Sequence, residues 1–340
     1  MFKWINFFFE ILEGDIIRED TEPDLYKQFT GTLQMAILCI AAVASPPFIL
    51  RCRGYLKSAT KLLLFSLARE LRTWDGQCVM LVQIICVLGQ FEMDEIIVEE
   101  CSNVLVASED FLSLLVKGID DLVQSLDQTP LGDDSDQRDI SLDKLQFTLR
   151  LPLLFTSGIF PEHFPQKCYD LGLHIICLKA LRGLLNHKAD PAMIECIGEC
   201  VRLFRHYLII NGPPAVEESL KSEDLLATLR LVTEKLLPAP PSKVEDTAKA
   251  LQRLVRSIVG STVYPACLQQ IKETDVPESF NVNTARASVK KLLQTPWKEL
   301  YGAIRARKEA RSLFETQSHQ FCIDTEVFFV TCHGPGLIIE

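Results

Sequence analysis

From Phe111 to Phe314 the sequence keeps returning to one pattern, apolar residues three or four apart with polar punctuation between the stripes. After Ser108-Glu-Asp-Phe111 come Leu112, Leu115, Val116, Ile119, Leu122, Val123 and Leu126, while Lys117, Asp120, Asp121 and Gln124 fall on the other side. At 3.6 residues per turn that spacing makes one continuous apolar stripe along a helix. Ser108 is placed to accept a hydrogen bond from a first-turn N–H, and Glu109 and Asp110 suit the positive end of the helix dipole. Ser222-Glu-Asp-Leu225 predicts a second helix start of the same kind. Asp190-Pro191 predicts a cap followed by proline in the first turn, with Ile194, Ile197, Val201, Phe204 and Leu208 behind it and Asn211-Gly-Pro-Pro214 as the stop. Ser242-Lys-Val-Glu245 reads as a capping box. Thr295-Pro296 reads as the start of a helix carrying Trp297, Leu300, Tyr301, Ile304, Leu313 and Phe314. Leu25 to Ala44 and Gly54 to Arg72 follow the same pattern less regularly. No long alternating run precedes the tail, so the expected fold is all-α, with sheet confined to the tail.

The breakers fall between stripes: Asp75-Gly76, the polar loop Thr129 to Asp136, and the stiff Pro238-Ala-Pro-Pro241. Hydrophobic types make up 48% of the 340 residues, which excludes a disordered linker, and the few Gly (16) and Pro (17) disfavour a turn-rich sandwich or barrel. Ten or more helices on short connections point to an irregular α-solenoid of the armadillo/HEAT kind or a large helical array; tetratricopeptide and ankyrin consensus residues are missing. The expected organisation is a helical array over 1–237, a proline-rich linker at 238–242, C-terminal helices over 243–315 and an irregular tail, a truncated finger, at 316–340.

Twelve cysteines raise the question of metal or disulfides, but no C-x-x-C pair occurs, and most lie in apolar runs where Cys acts as a small hydrophobe. Cys196 and Cys200 share a helix face, yet His206 lies about 240° further round, so both read as core thiols. His174 and Cys177 read the same way. With no glycosylation acceptor, and with the opening apolar run broken at Glu10, the expectation is a reducing, intracellular setting, cytoplasm or nucleus. Leu33 to Ala44 and Cys78 to Gly89 are about a dozen residues each, against roughly 20 for a membrane span. They read as core helices.

Asp133, Asp134, Asp136 and Asp139 do not make a calcium loop: counting from Asp134, the sixth position is Asp139 where glycine is needed, and the twelfth is Leu145. Phe111-Leu-Ser-Leu-Leu115 and Leu181-Arg-Gly-Leu-Leu185 look like L-x-x-L-L docking strings but read as buried stripe. Nucleotide-loop, nucleophile-elbow and zinc-protease motifs are absent, and the expectation is that the chain is not an enzyme. The net charge of −10 argues against whole-chain nucleic-acid binding. Against that background Thr284 to Glu315 stands out, with eight cations against three acids, net +5. Arg305, Arg307, Lys308 and Arg311 are its candidate electrostatic contacts. The alternatives are a solvated face laced with i, i+4 pairs or a site for nucleic acid or acidic lipid.

Trp297-Lys-Glu-Leu300, the arginines through Arg311, Phe314 and then Ser318-His-Gln-Phe-Cys322-Ile-Asp324 form an ordered series. It resembles the segment preceding the finger in large fungal proteins with a MYND-type zinc finger, which also carry a long, poorly repetitive helical region. The resemblance implies a non-catalytic scaffold for protein partners, with Cys322 as the first zinc ligand of an intact finger. Val327 stands where a second cysteine belongs, so no cofactor is expected in this chain. Valine codons begin with GT, as introns do, and the expectation for Val327 to Glu340 is intron read-through; a terminal strand at Val327 to Thr331 is the alternative.

Overall fold

The computed structural model describes five positions between residues 32 and 40, then residues 55–69, 104–105, 110–128, 135–156, 160, 163–187, 190–222, 224–272, 275–280 and 287–321. Among the described residues there are ten α-helices and no strand: α1 Tyr55–Arg69, α2 Phe111–Gln128, α3 Ser135–Phe155, α4 His163–Asp170, α5 Leu173–Leu184, α6 Pro191–Ser222, α7 Leu225–Leu236, α8 Pro241–Ser261, α9 Pro265–Gln270 and α10 Ala287–Phe321. No helix among them is long and apolar enough to cross a membrane.

The expected stripes are the buried ones. In α2, Phe111, Leu115 and Ile119 are fully buried, and in α6 so are Ile194, Ile197, Val201 and Phe204. Both L-x-x-L-L strings are core: Leu112, Leu115, Leu181 and Leu184 are buried. Apolar side chains from Ile37 to Ile304 join in a single core that continues through Leu237 and Ala239 across the 238–242 segment.

Consecutive helices pack in pairs, α2 with α3, α5 with α6 and α7 with α8. The second members form one layer, α3 on α6, α6 on α8 and α8 on α10, and the first members another, α2 on α5 and α5 on α7. The bonds between stacked helices keep a steady sequence separation. The Cys196 thiol donates to Leu142 O across 54 residues (3.4 Å), Thr247 Oγ1 to Ile194 O across 53 (3.0 Å) and Cys267 Sγ to Pro213 O across 54 (3.4 Å). In the other layer Arg182 Nε donates to Thr228 Oγ1 across 46 (3.2 Å) and Lys235 Nζ to Leu185 O across 50 (3.1 Å). Arg256 reaches Glu299 across 43, and Arg307 reaches Val259 O across 48. Where two bonds join one pair, α5 with α7 and α8 with α10, later residues of one helix meet later residues of the other, so those stacked helices run parallel. The short α4 lies beside α2, α3, α5 and α6, and Phe164 meets Phe155 edge-on at 5.2 Å and stacks on Phe160 at 6.2 Å.

Several helix ends differ from the sequence expectation. Asp190 does cap α6, its Oδ1 accepting from Met193 N–H at 2.8 Å. Ser222 opens nothing; it is the last residue of α6, and Asp224 precedes α7 with φ 45° and no side-chain cap. The capping box at Ser242–Glu245 does not form, because Pro241 already sits in the first turn of α8 and Glu245 pairs with Lys249 instead (2.8 Å). Thr295-Pro296 is interior to α10, whose start at Ala287 is set by the buried Val289 and Leu293 upstream; Thr295 Oγ1 donates back to Lys291 O. Ser135, Asp136 and Asp139, read as part of a loop, lie in the first turns of α3. Leu313 and Phe314, read as stripe, are 57% and 69% exposed. The stretches 70–103 and 322–340, with Cys322, Val327 and the expected terminal strand, lie outside the described residues.

Asn211-Gly-Pro-Pro214 ends one helical axis and starts another. Gly212 has φ 66° and ψ −157°, and Pro213 and Pro214 open the following turns. A side chain is barely tolerated in that backbone region, so Gly212→Ala is expected to lower the unfolding free energy by about 1–3 kcal/mol. Urea denaturation checks it; an unchanged midpoint would mean the bend relaxes without strain.

Candidate interaction surface

α10 owes its position to Trp297. The indole is buried, its Nε1–H donates to Thr233 Oγ1 of α7 at 3.0 Å, and Phe280 meets it edge-on at 5.9 Å. Two turns of the same helix then tie down the cationic stretch. Arg256 of α8 makes two bonds of 2.9 Å to Glu299, and these hold the Glu299 carboxylate below its ordinary range. Arg307 donates to Val259 O at 2.8 Å, at the C-terminal end of α8, where that carbonyl also accepts from Thr262 Oγ1 at 2.7 Å.

The four candidate cations therefore divide. Arg307 and Arg311 turn toward α8 and α9: besides Glu315 (2.6 Å), Arg311 donates to the Gln269 side-chain oxygen at 2.6 and 2.9 Å, with that amide oriented to face the guanidinium. Arg305 and Lys308 turn the other way and line a groove of about 430 Å³ with Val276, Tyr301, Ile304 and Glu309. Its floor is apolar; Val276 and Ile304 are each only 3% exposed. Its rim is charged, and Arg305 there pairs with Glu309 at 3.2 Å, both well exposed. The i, i+4 spacing reads that pair directly from sequence. Val276 is the residue sequence reasoning missed. It sits between α9 and α10 outside any stripe, and nothing local marks it as a neighbour of Tyr301, 25 positions further on.

A second polar cluster lies between α4, α5 and α6. Tyr169 O–H donates to Leu203 O (3.0 Å), so its oxygen accepts from His206 Nδ1 (3.0 Å), and His174 stacks on Tyr207 with ring centres 4.0 Å apart. Cys196 and Cys200 are fully buried; a hydrogen bond with Cys177, then burial, holds the Cys200 thiol well above its ordinary range, and burial pushes Cys168 up to about 12. Thiols so raised stay protonated and inert. Among the described residues no group of three or more His, Cys, Asp or Glu is placed to hold a metal ion.

Burial, and then the neighbouring Arg205 charge, lower the His206 pKa below 6.5. As pH falls the unfolded chain takes up this proton first, so the contribution of neutral His206 is full above pH 6.5 and is lost as pH drops toward the folded value. Replacing it, in His206→Asn, is expected to make the fall in stability between neutral and mildly acidic pH shallower. Parallel urea titrations of the two chains decide it, and equal slopes would refute the burial.

No protein-family model matches this sequence, and no curated protein or solved structure matches it either.

Proposed function

We propose that this chain is a non-catalytic protein-interaction scaffold, an irregular α-solenoid of the armadillo/HEAT kind. The observation that supports this reading is the ladder of inter-helix bonds at separations of 43 to 54 residues, the spacing expected of neighbouring helices one repeat apart. Armadillo and HEAT repeats run about 40–47 residues, and such stacks serve chiefly as extended binding surfaces. The reading includes membership of the helical part of a MYND-finger protein, supported by the Trp297-to-Phe314 series, which falls on α10.

The test uses the full chain as bait in a crosslinked extract treated with nuclease. Defined protein partners that persist at moderate salt support the scaffold. Retention of only nucleic acid or anionic lipid, lost steeply as salt rises, would overturn it in favour of an adaptor acting through 284–315.

A further inference from the structure

We draw no further inference here: the strongest candidate, the groove beside α10 floored by the almost wholly buried Val276 and Ile304, has rim cations Arg305 and Lys308 that already have partners, and nothing in the structure shows what covers it.

Discussion

Trp297→Ala is expected to destabilise the chain by about 3–5 kcal/mol, the usual range for deleting a large buried aromatic ring. The indole is 1% exposed, meets Phe280 edge-on and gives its only N–H to Thr233. Thr233 Oγ1 in turn donates to Leu229 O at 2.8 Å, so the deletion takes away one bond of a two-bond chain between α10 and α7. Trp297→Phe keeps a ring and loses the N–H, and a smaller loss on the order of 1–2 kcal/mol is expected. Urea unfolding followed by circular dichroism measures both. A loss under 1 kcal/mol for the alanine variant would show that α10 is not held by this side chain.

The second large effect is at Gly198, where α6 packs against Thr247 of α8. A Cβ there would lie 2.7 Å from Thr247 Oγ1 and 3.4 Å from an Arg202 guanidinium nitrogen. Thr247 cannot simply swing aside, because its hydroxyl is buried and donates to Ile194 O. Helix propensity alone favours alanine over glycine by about 1 kcal/mol. Overpacking outweighs it here, and Gly198→Ala is expected to cost a net of about 1–3 kcal/mol. Thr247→Ala empties the contested space at the loss of one hydrogen bond. The double variant should therefore be more stable than the two single losses summed, by at least about 0.5 kcal/mol. Strict additivity would mean that the helices separate without strain.

Much of this architecture is written in local spacing. Ile194, Val201 and Phe204 declare the buried face of α6, and Asp190-Pro191 declares its start, because both follow from the geometry of one turn. Helix ends were legible only where no packing competed. Thr295-Pro296 looks like a beginning, yet the buried Val289 and Leu293 carry α10 eight residues further back. Leu313 and Phe314 keep the stripe's spacing, but they lie beyond Arg307, which already reaches the end of α8, and so emerge into solvent. The stacking of the helices left no visible period. It shows instead in which residues meet, such as Thr247 with Ile194 and Cys267 with Pro213, and pairs some fifty residues apart share no local signature. The same holds for the groove: its cations were legible as a charged stretch, whereas its division into a rim and a tethered pair depends on which side of α10 faces α8.

The layered packing also sets an order of failure. α6 is gripped by α3, α5, α7, α8 and α9, whereas α10 leans chiefly on α8. Opening the chain at α10 gives up its wall against α8 and the Trp297 bond to α7; opening it at α6 gives up contacts with many more helices. Among the described helices, amide hydrogens of α6 should be the last to exchange with solvent and those of α10 earlier, because α10 shares fewer packed walls. Whatever grips α10 would then act as a clasp, slowing its release from α8.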